Sequence, residues 1–259
     1  MRLDACGICH SDITYMDGDW GGVLPTVFGH EAAGIVRGIG EDVKGLRCGA
    51  PVLVTLLRSC GDCFFCGQRQ ESLCETRFSL DESSPITDQR GTPVGHGLRT
   101  GAFAEEVVVH ASQVVEIPPD LPMDSAALLS CSVITGVGAV KNVAAVPAGA
   151  SVVTIGAGGV GINCVQGAAL ADAKLNIALD LSSDKLEAVP RFGATHVIDP
   201  VAEDAADAVR RLTGGRGADY VFVAAGSRAA IEQSVQLTRR GGMVVLVGMT
   251  AEGVKVEFE

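Results

Sequence analysis

At 259 residues the chain is longer than most single compact domains, which favours two domains, and its 47% hydrophobic content with 33 glycines argues against disorder. A formal net charge of -11 would repel phosphate backbones and anionic lipid, so we expect a small-molecule partner and neither nucleic acid nor membrane. Residues 1–10 lack the pattern of a secretion signal, so we expect a cytoplasmic protein whose nine cysteines are metal ligands or core residues rather than disulfides.

The pattern of apolar and turn-forming residues along the chain changes near Ser132. Before it, short β-type segments at residues 34–40, 51–55 and 104–109 are broken by Gly and Pro, which predicts a β-rich domain over residues 1–132. From residue 133 to 259, apolar strands alternate with helical stretches, the pattern of an α/β doubly wound parallel sheet. Its predicted strands are residues 151–156, 174–180, 196–198, 220–225 and 243–248.

One uncharged stretch, residues 142–171, is long enough to suggest a membrane span. Six glycines, Pro147 and several polar residues interrupt it. We therefore assign the stretch to a buried strand, a glycine turn and a helix.

Two motifs near the start, GICHSD at residues 7–12 and GHE at residues 29–31, supply Cys9, His30 and Glu31. A further thiol is available at Cys131 in SCSVITG. A single Cys or His is more often a core or surface residue than a ligand, so none of these positions is informative alone.

Four cysteines follow one another closely in CGDCFFCGQRQESLC, where gaps of two, two and seven residues separate Cys60, Cys63, Cys66 and Cys74. Four thiolates satisfy tetrahedral zinc, and one loop with this spacing can wrap the ion. Four unconnected core cysteines are a poor alternative in such a polar segment, whereas an iron–sulfur cluster would also use four thiolates. With all four positions filled, the site would be structural.

A glycine-rich turn, GAGGVG, joins a predicted strand to a predicted helix through Gly156, Gly158, Gly159, Val160 and Gly161. At such a turn the backbone can approach a pyrophosphate, and the helix N-terminus favours its charge. Asp180 ends the next strand, where a carboxylate would accept hydrogen bonds from the adenosine ribose. Because a 2'-phosphate would meet like charge there, the sequence favours NAD over NADP.

Together, in this order, the motifs resemble those of the zinc-containing alcohol dehydrogenases in the medium-chain dehydrogenase/reductase family. The resemblance implies a GroES-like catalytic domain followed by a Rossmann NAD-binding domain, with two zinc ions per chain, one catalytic and one structural. It implies that Cys9, His30 and Cys131 hold the catalytic zinc, with water or substrate in the fourth position. The implied reaction passes a hydride between NAD and a primary or aromatic alcohol, or an aldehyde adduct such as S-(hydroxymethyl)glutathione.

The resemblance also implies roles around the catalytic zinc. Ser11 matches the hydroxyl that takes the substrate proton, although it could be an ordinary loop serine. Asp12 is expected to hydrogen-bond His30 and fix its tautomer, with a helix cap or surface position as the alternative. Glu31 matches a carboxylate behind the metal, or is a solvated surface residue. Thr14 stands where some members carry a His that passes the proton to solvent, which leaves the outer relay without an assignment.

For the coenzyme, the resemblance places His10 near the pyrophosphate and Lys185 beside the adenosine ribose, with exposed positions as the alternatives. Thr135, Val247 and Met249 match segments that flank the nicotinamide, or belong to ordinary packing.

Both ends of the family pattern are expected to be missing from the chain, since strands would precede GICHSD and a sixth strand with a return segment would follow residue 259. Family members form homo-oligomers, but a chain without these parts is not expected to do so securely. The same argument predicts low activity, and it keeps open a second interpretation: a zinc-stapled, nucleotide-binding fragment without turnover.

Overall fold

The computed structural model describes residues 1–258 and contains two compact units. The first unit is Met1–Cys131, and the second begins at Ser132. The sequence places the domain boundary one residue later.

The first unit is built on short strands, which belong to two sheets. These strands are β1 (Arg2–Gly7), β2 (Thr26–Val27), β3 (Glu31–Ile35), β4 (Pro51–Val54), β5 (Ile86–Thr87), β6 (Pro93–His96) and β7 (Val114–Glu116). An antiparallel sheet has the order β1-β3-β4-β7, and a second, three-stranded sheet has the order β2-β6-β5. In the first sheet Gly7 of β1 lies opposite Glu31 of β3.

Two strand predictions for this unit are wrong. The strand predicted at residues 34–40 begins earlier, at Glu31, and ends at Ile35, because Gly38 and Gly40 leave the sheet with no partner strand. Residues 104–109 form only an isolated bridge between Glu106 and Arg2.

The helices of the first unit are short. They are α1 (His10–Asp17), α2 (Phe64–Gly67), α3 (Ser79–Glu82) and α4 (Met123–Leu128). Helix α1 ends at Gly18, which adopts the left-handed conformation that favours glycine (φ 86°). Helix α4 continues into a π-helical turn, Leu129–Val133. Ala126 and Ala127 of α4 pack on Ala33 of β3 and Leu53 of β4, which forms one part of the core.

The second unit is a five-stranded parallel sheet with the order β10-β9-β8-β11-β12. Its helices and strands are α5 (Ile134–Gly138), β8 (Ser151–Ile155), α6 (Gly159–Leu170), β9 (Leu175–Leu179), α7 (Ser183–Ala188), β10 (His196–Ile198), α8 (Ala205–Leu212), β11 (Ala218–Val223), α9 (Arg228–Leu237) and β12 (Thr238–Leu246).

Both faces of this sheet are covered by helices, as its near-continuous apolar strands require. On one face Val153 packs with Val209 of α8 and Ile231 of α9. On the other face Val152 and Phe222 pack with Cys164 of α6. The doubly wound parallel sheet predicted from the sequence is therefore confirmed. In such a sheet, a ligand is expected at the carboxyl ends of β8 and β11, where the strand order reverses.

The apolar run Met123–Val143 is long and apolar enough to cross a membrane, as judged by length and composition. Its buried residues instead pack in protein cores: Ala126 and Ala127 in the first unit, Ala139 and Val140 in the second. Residues 142–171, which prompted the same question in the sequence, contain β8, a glycine turn and α6, as predicted.

Candidate metal and coenzyme sites

Four side chains of the first unit converge on one point. The ligand atoms of Cys9, His30, Glu31 and Cys131 all lie within 4.8 Å of one another. Cys9 caps the N-terminus of α1, His30 and Glu31 stand at the start of β3, and Cys131 lies in the π-helical turn after α4. Chain segments up to 122 residues apart therefore form this cluster.

Asp12 organises the cluster from behind. Its carboxylate is fully buried and accepts hydrogen bonds from the backbone N–H of Cys9 (3.0 Å), the backbone N–H of Gly29 (3.0 Å) and Nδ1 of His30 (3.1 Å). Since His30 donates through Nδ1, its Nε2 carries the lone pair. The predicted Asp12–His30 contact is thus present in the structure.

The donor set fits zinc. Nε2 of His30 is buried and has no hydrogen-bond partner among residues 1–258, although such atoms are nearly always paired. A lone pair facing two cysteine sulfurs suits a borderline-soft cation that prefers nitrogen and sulfur ligands. The residues predicted to hold the ion, Cys9, His30 and Cys131, lie together, and Glu31 lies within reach as a fourth group.

The charged and thiol groups of the cluster shift one another's pKa values. A hydrogen bond from Cys131 outweighs burial and lowers the pKa of Cys9 to about 3, and the same bond raises the pKa of Cys131. Burial works against charge on His30, but Asp12 and Cys9 outweigh it and raise its pKa to about 9. Burial and the Cys9 charge raise the pKa of Glu31. These shifts favour an anionic Cys9 beside a protonated His30, and a bound metal ion would take the place of the proton on Nε2 of His30.

Two glycines make room for this arrangement. Gly29 has φ 91°, and a Cβ there would lie 2.7 Å from the backbone nitrogen of Phe103. A Cβ on Gly7 would collide with Oε2 of Glu31. Glu31 is only 2% exposed, so the alternative of a solvated surface glutamate is wrong. The alternative of a surface or merely capping Asp12 is wrong as well.

Ser11 and Thr14 both lie on α1, and their hydroxyls differ in surroundings. The Ser11 hydroxyl is 3.7 Å from Sγ of Cys9, so it stands beside the cluster. Thr14 is buried, and its hydroxyl donates to the carbonyl of His10 at 2.9 Å. That bond occupies the hydroxyl within α1, so Thr14 does not extend a relay. His10 itself is exposed.

The four-cysteine loop forms a second cluster, whose sulfurs all lie within 4.8 Å of one another. Pairs of sulfurs are 3.9 Å apart, between Cys60 and Cys66 and between Cys63 and Cys74, far longer than a disulfide bond. Backbone N–H groups of Cys66 and Glu75 lower the pKa of Cys63 to about 6, which favours a thiolate ligand. All four positions come from one loop, as the sequence spacing predicts.

In the second unit the glycine turn joins β8 to α6, as predicted. Gly156 has φ 92°, and a Cβ on Gly161 would collide with the carbonyl oxygen of Gly156. Gly158 faces open space, and Gly159 begins α6. A Cβ on Gly136 of α5 would lie 2.5 Å from the Val160 carbonyl, so α5 packs closely on this turn, and the half-buried Thr135 precedes Gly136 in the chain.

Asp180 lies directly after β9 and connects to the turn. Its carboxylate accepts hydrogen bonds from the backbone N–H of Ala157 at 2.7 Å and of Ser182 at 2.9 Å. Nζ of Lys185 lies 3.6 Å from the same carboxylate. The structure thus brings Asp180, Lys185 and the glycine turn together. Val247 is half-buried and its N–H donates to Val223 at the end of β11, whereas Met249 is 68% exposed.

The sequence analysis missed a cavity and a buried arginine network in the first unit. A cavity of about 670 Å³ in the first unit is lined by α1, the following glycine loop and residues 96–99. Arg58, whose side chain is fully buried, donates to Gln113, Asp81 and the carbonyl of Arg99. The partners of Arg58 are 23 to 55 residues away in the chain, so no local sequence pattern around Arg58 reveals them.

A β-rich unit with two thiolate-containing clusters, followed by a parallel sheet with a glycine turn, defines a metal-binding, dinucleotide-binding oxidoreductase. The chain matches the alcohol dehydrogenase GroES-like domain over residues 1–119 and the zinc-binding dehydrogenase family over residues 159–259. An alcohol dehydrogenase class-3 from Pisum sativum is 34% identical over 96% of this chain. The chain belongs to the zinc-dependent alcohol dehydrogenases of the medium-chain family.

Solved structures show the same fold. Benzyl alcohol dehydrogenase from Acinetobacter calcoaceticus has a TM-score of 0.90 at 29% identity, over 100% of this chain and 71% of that one. A zinc-binding dehydrogenase from Sinorhizobium meliloti, bound to NADP, has a TM-score of 0.81 at 30% identity, again over 100% and 71%. The chain spans 66–70% of the length of the curated relatives it matches, and 68% of the Pisum sativum protein. Zinc and a nicotinamide coenzyme are thus the cofactors of its family.

Proposed function

We propose that this chain oxidises primary alcohols, aromatic ones included, by passing a hydride to NAD, with one zinc at Cys9, His30 and Cys131 and a second at the four-cysteine loop. An aldehyde adduct such as S-(hydroxymethyl)glutathione belongs to the same substrate range. The observation that carries the proposal is the buried, unpartnered Nε2 of His30 beside the sulfurs of Cys9 and Cys131. A cluster of this kind has no evident structural purpose without an ion.

Each residue of the cluster would have a distinct task. Zinc held by two thiolates and a neutral imidazole supplies an open coordination position and lowers the pKa of a bound alcohol toward neutrality. Asp12 keeps the His30 ring in the tautomer that presents Nε2. The Ser11 hydroxyl, beside Cys9, would accept the proton that the alcohol loses while it passes its own hydroxyl proton on to water.

The preference for NAD rests on Asp180. Its side chain is 9% exposed and fixed by two backbone N–H groups, so the negative charge keeps one position beside the glycine turn. Lys185 is half-exposed, and such an ion pair is too weak to cancel that charge. A 2'-phosphate would therefore be repelled. The Sinorhizobium meliloti structure contains NADP, so the two coenzymes need direct comparison.

The substrate range is supported by two relatives. The Acinetobacter calcoaceticus structure is named for benzyl alcohol, and the Pisum sativum relative is a class-3 alcohol dehydrogenase. The cavity beside α1 is lined by aromatic and aliphatic side chains such as Tyr15, Phe28 and Leu56, which suits the apolar body of such an alcohol.

The test is a panel of alcohols given to the zinc-loaded chain with NAD or NADP, with NADH or NADPH formation followed by absorbance. We expect turnover with NAD and two zinc ions per chain. Ser11→Ala should lower turnover by about 10²- to 10⁴-fold with both zinc ions retained, because it removes proton transfer only. The exposed Ser125→Ala serves as the control.

Absence of oxidation of every alcohol with either coenzyme, in a folded chain with two zinc ions, would overturn the proposal. The alternative of a zinc-stapled nucleotide-binding protein would then stand. Unchanged turnover in Ser11→Ala would remove only the role of Ser11.

A further inference from the structure

The cavity of about 670 Å³ lies within the first unit, and two of its lining residues, Tyr15 and Phe28, are close in the chain to the proposed zinc site. Tyr15, which lines it, is one helical turn after Ser11 on α1, so the two side chains share a face of the helix. Phe28, another lining residue, comes two residues before His30 and stacks on Tyr15 with ring centroids 6.1 Å apart. An alcohol with its hydroxyl at the ligands would extend its body along these rings.

One wall of this cavity is charged. Arg99 lines it, and no acidic residue lines it within residues 1–258. His96 also lines it, but burial lowers the pKa of His96 and its Nε2–H donates to the carbonyl of Thr100 at 2.8 Å. His96 is therefore neutral near pH 7, and Arg99 is the charged group of the wall.

The positive charge of Arg99 is not balanced locally. Arg99 and the buried Arg58 share a single carboxylate, Asp81, at 3.2 Å and 2.7 Å. The other side-chain partner of Arg58 is the neutral amide of Gln113, at 2.7 Å. Two guanidinium groups with one carboxylate leave one positive charge, in a chain whose formal net charge is -11.

The backbone at Arg99 is held in place. Leu98 and Arg99 both adopt left-handed conformations, with φ 49° and 60°, which are unfavourable for residues with a Cβ. The carbonyl of Arg99 accepts hydrogen bonds from Arg58 at 2.9 Å and from Gln113 at 3.1 Å. These bonds hold the strained turn at the cavity wall. The backbone of a freely moving surface arginine would not be held in this way.

We propose that this cavity takes an alcohol whose apolar or aromatic body ends in a carboxylate, and that Arg99 binds the carboxylate and so determines specificity. The inference rests on the proposed alcohol oxidation and names its substrate class. A guanidinium presents paired N–H donors that match the two oxygens of a carboxylate. The aromatic side chains Tyr15 and Phe28 would contact the body of the substrate.

The experiment compares two alcohols of equal shape, 4-(hydroxymethyl)benzoate and 4-methylbenzyl alcohol, with the zinc-loaded chain and NAD. We expect kcat/KM to be about tenfold higher for the carboxylate, as a hydrogen-bonded charge pair allows. Arg99→Gln should abolish this advantage, and Arg99→Lys should retain part of it because the charge remains. Arg90→Gln, which removes an exposed arginine outside the cavity, should keep the full advantage.

A binding measurement separates this inference from the proposed activity. Trp20, the one tryptophan of the chain, lies edge-on to Tyr15 with centroids 5.1 Å apart, so its fluorescence should report occupation of the cavity. We expect tighter binding of 4-(hydroxymethyl)benzoate than of the neutral alcohol, and equal binding in Arg99→Gln. Turnover of both alcohols without preference, or a preference that survives in Arg99→Gln, would overturn the inference and leave the activity intact. Preferential binding without turnover would support the inference and contradict the proposed activity.

Discussion

Asp12 is the residue on which the ligand cluster depends, because it receives three hydrogen bonds with no exposure to water. Two come from backbone N–H groups, which a side-chain substitution cannot replace, and the third fixes the orientation of the His30 ring. The negative charge of Asp12 also offsets the positive charge of a cation bound at Nε2 of His30. Asp12 thus couples local backbone geometry to metal affinity.

We expect Asp12→Asn to weaken zinc binding by about 10- to 100-fold and to destabilise the chain by about 1–3 kcal/mol. The amide must turn its NH₂ group either toward the N–H of Cys9 or toward the N–H of Gly29 and Nδ1 of His30, so at least one buried donor loses its acceptor. Competition with a chelator and thermal unfolding would measure the two effects. The exposed Asp42→Asn is the matched control, and equal zinc retention in both variants would refute this role.

At the residue scale, the sequence predicts the two clusters and the contact between Asp12 and His30, but not the burial of Glu31 or the arginine network at Asp81. Cys9, His30, Asp12 and the four-cysteine loop lie in short motifs, so spacing and chemistry reveal them. Burial of Glu31 follows from its pairing opposite Gly7, a register set by two strands 24 residues apart. Arg58 and Arg99 belong to a network that exists only after folding. Their types and spacing carry no signal that precedes the structure.

Among the turns of the second unit, the glycine turn shows that glycines of one motif differ in purpose. Gly161 is needed for packing, because its Cβ would strike the carbonyl of Gly156. Gly158 has φ −77° and open space around it, so the fold tolerates a side chain there. The open space beside Gly158 is therefore available to an approaching ligand.

We therefore expect Gly161→Ala to destabilise the chain by about 1–3 kcal/mol, which lowers Tm by about 2–10 °C. Gly158→Ala should leave Tm within about 1 °C of wild type yet weaken NADH binding, because a methyl group would stand where the pyrophosphate approaches the backbone. Calorimetry and NADH fluorescence distinguish the two. An equal loss of Tm in both variants would contradict the division of roles.

Asp219 links three strands at the other end of the sheet. Its carboxylate accepts from the N–H of Ser151 (2.8 Å) and the hydroxyl of Ser151 (2.7 Å) in β8, and from Arg239 (2.5 Å) in β12. Burial would raise the pKa of Asp219, but these bonds outweigh burial and lower it to about 2. The folded chain thus favours the charged carboxylate.

This shift predicts a pH dependence. Because the pKa of Asp219 falls from 3.8 to about 2 on folding, its stabilising effect is complete above about pH 4 and is lost as the pH falls toward 2. Asp219→Asn should lower Tm by about 2–4 °C at pH 7, and by less at pH 3. Thermal unfolding across this range checks it, with the exposed Glu187→Gln as control. A Tm difference that grows on acidification would be the wrong sign.

At the scale of elements, the sequence predicts that a strand exists better than it predicts where that strand begins and ends. All five parallel strands are predicted, because each contains a short run of apolar residues. The start of β12 is missed by five residues, since Arg239 to Gly242 look like a loop. Thr238 and Met243 pair with Ala218 and Tyr220 of β11, and residues 239–242 lie in the irregularity between these two pairs. Long-range pairing of this kind is not encoded in local composition.

At the scale of the whole molecule, the two ligand sets belong to different units. Both thiolate clusters lie within Met1–Cys131, whereas the glycine turn and Asp180 lie in the unit that begins at Ser132. Each unit has its own buried apolar clusters. Loss of one ligand set is therefore expected to leave the other in place.

We expect Cys9→Ser to reduce zinc from two ions to one per chain while NADH still binds with a dissociation constant within about twofold of wild type. Serine replaces a thiolate with a poor zinc ligand, but it changes no residue of the parallel sheet. Asp180→Gly should do the reverse: both zinc ions remain, and the preference for NAD over NADP narrows because the carboxylate no longer opposes a 2'-phosphate. Zinc analysis and NADH or NADPH fluorescence titrations on the same preparations measure both. If Cys9→Ser abolished NADH binding in a folded chain, or if Asp180→Gly released zinc, the two sites would be coupled and their separate assignment to the two units would fail.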